Sequence, residues 1–95
     1  MTKEEYKEYL NNCKSSLTEK QRIRLAKEYN KLPKSWKYWN KRLNNIIGYS
    51  EEEYIFMKYC EKRISYINQR LEDLEYILDI PEEYTYLYRL LHDKL

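Results

Sequence analysis

Ninety-five residues suffice for one domain that buries roughly two-thirds of its unfolded surface, and 18 Lys and Arg against 16 Asp and Glu give a net charge of only +2. One Gly and two Pro leave little material for hairpin turns, and no apolar run is long enough to span a bilayer, so a strand-rich fold and a membrane span are both excluded. Two Cys without CxxC spacing, a single His and no Gly-rich loop exclude a structural zinc site and a phosphate cradle.

The small net charge hides a division. Residues 1–50 hold twelve Lys and Arg against five acids, a net of +7, while residues 51–95 hold six against eleven, a net of −5. A basic half suits polyanions, and an acidic half suits basic partners or a second copy of the chain. Tyr occurs twelve times and Phe once. Tyr has an apolar body and a polar tip, so it reads first as a core edge and second as a contact surface. The charged N-terminus does not read as a secretory signal, and two free thiols fit a reducing cytoplasm.

Helix 1 is expected from about Lys3 to Lys14, with Tyr6, Leu10, Cys13 and Leu17 on one stripe. Thr18-Glu19-Lys20-Gln21 is a capping box and opens helix 2, which runs to about Lys31. Leu25, Ala26, Tyr29 and Leu32 form its apolar side. Lys20, Arg24, Lys27 and Lys31 form a basic ridge on the other side. Leu32-Pro33-Lys34 reads as a turn, because Pro33 disfavours helical geometry at Leu32. Ser35 then caps helix 3, Trp36 to about Ile47, closed by Gly48 as a left-handed cap. Trp36, Trp39, Leu43 and Ile46 are its apolar face, and Lys37, Asn40, Lys41 and Asn44 lie on a different one.

Ser50 with Glu51-Glu52-Glu53 opens helix 4, a long helix over about 51–79. Met57, Cys60, Ile64, Ile67, Leu71, Leu74 and Leu78 follow 3-4 spacing, a heptad seam with Glu61, Arg63, Asn68, Arg70, Glu75 and Ile77 beside it. Ile55, Tyr59, Tyr66 and Ile77 add a second, broken apolar stripe. Helix 5 starts near Pro81 and carries Tyr84, Leu87, Leu91 and Leu95. The expected fold is therefore all-α, a single domain over 1–95. It is a small four- to five-helix bundle with a basic helix-turn-helix-like half (1–50) and an acidic half (51–95) of a long central helix plus a C-terminal helix.

Three constellations carry functional readings. Helices 2 and 3 match the outline of a helix-turn-helix. Lys20, Arg24, Lys27, Lys31 and Lys34 would hold phosphates, and Lys37, Asn40, Lys41 and Asn44 would face base edges. The plain alternative is a pair of amphipathic helices with solvated lysines. Leu17-Thr18-Glu19-Lys20-Gln21-Arg22 resembles the opening of phage small-terminase DNA-binding domains, over one helix. The heptad seam, through Met57, Ile64, Ile67, Leu71, Leu74 and Leu78, fits a homodimer or packing within one chain. The acidic, Tyr-rich segment Glu72, Asp73, Glu75, Tyr76, Asp79, Glu82, Glu83, Tyr84 and Tyr86 fits the basic groove of a protein partner, or is a solvated corner.

Enzyme readings are weak. His92 is alone near the C-terminus beside Asp93, and Cys13 and Cys60 fall on apolar stripes like small core hydrophobes. No catalytic residue, metal, cofactor or small-molecule substrate is expected. The leading expectation is a cytoplasmic, non-catalytic nucleic-acid-binding regulator or accessory factor of a phage or mobile element. The alternative is a stoichiometric inhibitor or adaptor of a host protein, for example a nucleic-acid enzyme such as a CRISPR effector. Head-to-tail self-association through the opposite charges is a third possibility.

Overall fold

The computed structural model describes residues 1–48 and 50–85. Three α-helices account for most of them: α1 (Lys3–Ser15), α2 (Glu19–Asn44) and α3 (Glu51–Ile77), followed by a short 3-10 turn at Glu82–Tyr84. The all-α class holds, but among the described residues the α-helix count is three rather than four or five. The expected helix-turn-helix is absent, because helices 2 and 3 are one continuous helix with Pro33 inside it. Beyond Pro81 only the 3-10 turn is described. The expected fifth helix, with Tyr86, Leu87, Leu91, His92 and Leu95, falls outside the described residues apart from its first turn.

The ends of the helices follow from local chemistry. Thr2 accepts the backbone N–H of Glu5 at 3.1 Å and starts α1. At the other end the carbonyl of Asn12 accepts both the N–H of Ser16 at 3.1 Å and its hydroxyl at 2.8 Å. Both halves of the Thr18–Gln21 capping box form, at 2.9 and 3.2 Å. Ser50 accepts the N–H of Glu53 at 3.1 Å to open α3, whose first turn holds three glutamates at the positive helix end. Gly48 does not adopt the expected left-handed conformation, and Asn45 closes α2 instead. A Cβ at Gly48 would meet only the carboxylate end of the flexible Glu53 side chain, which can swing aside. The left-handed residue is Asp79, with φ 55° just past the end of α3. Its N–H bonds the carbonyl of Tyr76 and that of Ile80 bonds the carbonyl of Glu75, the pairing of a Schellman motif.

Why α2 runs through Pro33 is a matter of magnitudes. Pro in a helix interior costs about 3 kcal/mol, through a lost hydrogen bond and a clash with the preceding turn. Across Pro33 the apolar stripe stays in phase: Leu25, Tyr29, Leu32, Trp36, Trp39, Leu43 and Ile46 keep unbroken 4-3 spacing. A bend at Pro33 would lift one half of that stripe off α3. Trp36 and Trp39 are both more than half buried. At about 25 cal/mol per Å² and 150–250 Å² per aromatic ring, they contribute on the order of 5 kcal/mol together, more than the proline takes away.

α2 and α3 pair antiparallel. Arg42 lies by Phe56, Trp39 by Tyr59, Glu28 by Arg70 and Arg22 by the carbonyl of Leu78, so contacts descend one helix as they climb the other. α1 runs parallel to the last turns of α3, with Tyr6, Asn11 and Lys14 meeting Asp73, Tyr76 and Asp79 in order. One end of the molecule is thus three helices thick, and the other is a two-helix hairpin. The longest dimension is 48 Å.

The core belongs to α3. Cys60, Ile67, Leu71, Leu74 and Ile77 of that helix are buried, with Leu78 at its end and Tyr29 from α2. Leu17, Leu25, Ala26, Leu32, Trp36, Trp39 and Ile80 pack around them. The heptad seam is therefore occupied within one chain: Ile67, Leu71, Leu74 and Leu78 are buried there, and Met57 and Ile64 are half-buried. A second copy finds no free seam at those four positions.

Candidate nucleic-acid interface

The net charge of the basic half resides, in the structure, on a single helix. α1 carries three Lys against three Glu. α2 carries nine Lys and Arg against two Glu, so the whole +7 of residues 1–50 resides on α2. At 1.5 Å per residue its 26 residues extend about 39 Å.

At about 100° per residue, Lys20, Arg24, Lys27, Lys31, Lys34 and Lys41 occupy an arc of about 100° on the side away from α3. All six are exposed. The ridge drawn from residues 20–31 thus continues to Lys34 and Lys41. Lys37 and Asn44 border it, also exposed, while Asn40 lies further round and is half-buried. Lys37, Asn40, Lys41 and Asn44, the expected recognition face, stand at i, i+3, i+4 and i+7 beside the ridge, three of them exposed and Asn40 half-buried. Arg24 has a second setting: it lines a cleft of about 310 Å³ under α1 with Leu10, Cys13, Leu25 and Asp73.

The cations of this ridge are not neutralised in place. Ion pairs among the described residues use Lys14 with Asp79, Lys58 with Glu61, and Arg70 with Glu28. Of the two glutamates on α2, Glu19 starts the helix and Glu28 is engaged by Arg70, which donates a second hydrogen bond at 2.9 Å. Those bonds, with the positive charge behind them, hold the Glu28 carboxyl below the ordinary glutamate value despite partial burial. The stabilisation is thus present above the unfolded value near 4.5 and is lost as pH falls through the lower folded value. Both side chains are about a third exposed, so solvent screening limits the effect to about 0.5–1 kcal/mol. Glu28→Gln should accordingly lose less stability than the parent between pH 6 and pH 3, in urea unfolding at each pH. Identical losses would mean that the clasp contributes nothing.

The acidic segment fares differently. Asp73 is buried and accepts from the hydroxyl of Tyr6 and from Gln69 at 3.0 Å. The bond to Asp73, and then burial, raise the Tyr6 hydroxyl above the ordinary tyrosine value. Glu75 is half-buried and accepts from Tyr29 at 2.7 Å. Tyr76 donates to Asn11, and Asp79 pairs with Lys14 at 3.5 Å. Four members of the expected acidic interface thus hold α1 and α2 onto α3. Glu72, Glu82, Glu83 and Tyr84 remain exposed, and Tyr86 lies outside the described residues.

A comparison of the chain with models of protein families, with curated proteins and with solved structures finds no match.

The structure adds a cluster that the sequence reading left scattered. At the hairpin end, Trp39 meets Tyr38 edge-on at 5.0 Å and Tyr59 edge-on at 5.4 Å between ring centroids. The guanidinium of Arg63 lies over both Trp39 and Tyr66, at 5.7 and 5.8 Å. Arg42 lies over Tyr38 and Phe56, each at 5.4 Å. Tyr38, Tyr59 and Tyr66 stay at least half exposed. The signal was in the sequence: Tyr59, Lys62, Arg63 and Tyr66 stand at i, i+3, i+4 and i+7, and Tyr38 and Arg42 at i, i+4. Sorting by apolar stripes alone hid it, because it mixes rings with cations.

Among the described residues no helix is long and apolar enough to cross a membrane, and no group of three His, Cys, Asp or Glu could hold a metal. Cys60 is fully buried and Cys13 half-buried, both as free thiols.

Proposed function

We propose that the chain is a non-catalytic nucleic-acid-binding protein that takes the phosphate backbone along the solvent face of α2. One observation carries this reading: six exposed cations in a row along α2, with no carboxylate partner among the described residues. Lys20 to Lys41 covers about 31 Å at 1.5 Å per residue, close to one turn of B-form duplex. Such a helix lies along or across a backbone, so it supplies affinity without base reading. The role fits a regulator or accessory factor, as in a phage or mobile element.

Salt tests it. With about five phosphates contacted, log K should fall against log salt with a slope near −4.5 on duplex DNA and near −3.5 on a single strand. Reversing Lys20, Arg24 and Lys27 to Glu should weaken binding of a fluorescein-labelled 20-mer at least 100-fold and flatten the slope by about three. A triple variant with unchanged affinity and slope would sink the reading. The alternative, a protein inhibitor acting through the acidic segment, is weakened because Asp73, Glu75, Tyr76 and Asp79 are spent on intrachain contacts.

A further inference from the structure

We infer that the aromatic and arginine cluster at the hairpin end is a stacking site for unpaired bases, so that the preferred ligand is single-stranded nucleic acid. The inference rests on the α2 reading and deepens it. A surface that takes single strands needs rings with free faces beside uncompensated cations, since bases stack and phosphates pair. The cluster supplies both. Tyr38 is 52%, Tyr59 50% and Tyr66 58% exposed. Arg42 and Arg63 are exposed, and neither has a carboxylate within ion-pair distance among the described residues.

Position connects the cluster to the basic ridge. Tyr38 follows Lys31 at i+7 and Lys34 at i+4, and precedes Lys41 and Arg42 at i+3 and i+4. It therefore interrupts the ridge with a ring where the spacing would place another cation. On α3, Tyr59 and Tyr66 stand seven residues apart, about 10 Å along the helix, with Lys62 and Arg63 between them.

Among the described residues this face is open to solvent. α1 covers the flank of α3 at Asp73, Tyr76 and Asp79, where Tyr6, Asn11 and Lys14 meet it. Ile55, Tyr59 and Tyr66 lie further toward the start of α3, on the stripe that passes through Asp73 and Ile77, and stay at least half exposed, Tyr59 with one edge contact to Trp39 of α2. A base pair offers no free ring face to such a site, whereas an unpaired base does. Unlike a bare apolar groove, this surface sets Arg42 over Tyr38 and Arg63 over Tyr66, with Tyr59 against Trp39 between them, which is charge complementarity to a polyanion rather than to another helix.

The test compares a 12-nucleotide oligo-dT with a blunt 12-base-pair duplex, by anisotropy and by tryptophan fluorescence, on the full chain. The parent should prefer the single strand at least five-fold, and Trp39 fluorescence should be quenched on binding it. Tyr59→Ala with Tyr66→Ala should cost about 5- to 100-fold per ring on oligo-dT and leave duplex affinity within two-fold. Tyr59→Phe with Tyr66→Phe should bind like the parent, since the ring face is kept. Tyr66→Ala alone repeats the test without touching the Trp39–Tyr59 contact. Equal losses on both ligands, or no loss on oligo-dT, would overturn the stacking site while leaving the α2 reading in place. Failure of the parent to bind either ligand would overturn both. A parent that sediments as a dimer, a Tyr66→Ala variant that does not, and unchanged oligo-dT binding would assign the patch to a second copy of the chain instead.

Discussion

Replacing Leu74 by Ala is expected to remove about 2–5 kcal/mol of stability, a large share of the 5–15 kcal/mol that holds a domain of this size together. Leu74 has no exposed surface and sits among Ile67, Leu71, Leu78 and Tyr29, where the core is built. The loss has two sources: transfer free energy of the missing methyl and methylene groups, and a cavity that three small helices cannot fully collapse. Urea unfolding followed by far-UV circular dichroism reads it, and thermal melts should shift down by about 4–8 °C per kcal/mol. Ile23→Ala is the comparison. Ile23 is half exposed on α2 and should change stability by less than about 0.5 kcal/mol. A Leu74 variant that loses under 1 kcal/mol would show that the centre of the molecule lies elsewhere.

Pro33→Ala is expected to have the opposite sign. In a continuous α2, alanine restores an N–H directed at the carbonyl of Tyr29 and removes the ring's clash with that turn, for a gain of up to about 3 kcal/mol. The unfolded chain gains freedom when proline leaves, which takes back about 0.4–1 kcal/mol. A net gain of about 1–2 kcal/mol, with unchanged or higher helicity, is the expected outcome. Were Pro33 the centre of a turn, its pre-set φ would be useful and the substitution would destabilise. The sign of the change therefore decides between one long helix and a helix-turn-helix. It also bears on function, because only the continuous helix joins Lys20–Lys31 to Lys34 and Lys41 in a single ridge.

Much of this architecture was legible in the chain. The caps at Thr18 and Ser50 mark true helix starts, because capping is satisfied by residues within one turn and needs nothing distant. α1 and α3 end within two residues of their expected limits for the same reason. The buried face of α3 follows from its 3-4 spacing, because an amphipathic helix must cover its apolar side with something. Pro33 misled because its local preference is strong and the packing that overrides it is not local. The in-phase stripe from Leu25 to Ile46 was the counter-signal, visible only when the two halves were read as one. Gly48 misled similarly: its place after a helix suggested a left-handed cap, while α2 ends three residues earlier at Asn45 and Gly48 keeps a negative φ.

The candidate site divides along the same line. That the first half is basic, and that Lys20, Arg24, Lys27 and Lys31 share a face, the sequence determined by itself, because charge and helical periodicity are properties of one segment. Three matters only the tertiary structure decided. The acids at Asp73, Glu75 and Asp79 became internal fastenings, since α1 and α2 bring Tyr6, Tyr29 and Lys14 to them across more than forty residues of chain. The heptad seam was filled from within, since α2 folds back on α3 and buries it. Trp39 of α2 and Tyr59, Arg63 and Tyr66 of α3 became one surface, since antiparallel pairing sets the two helices side by side. A periodicity names the face of a helix, but which faces meet is fixed by the packing that buries the most apolar surface between them.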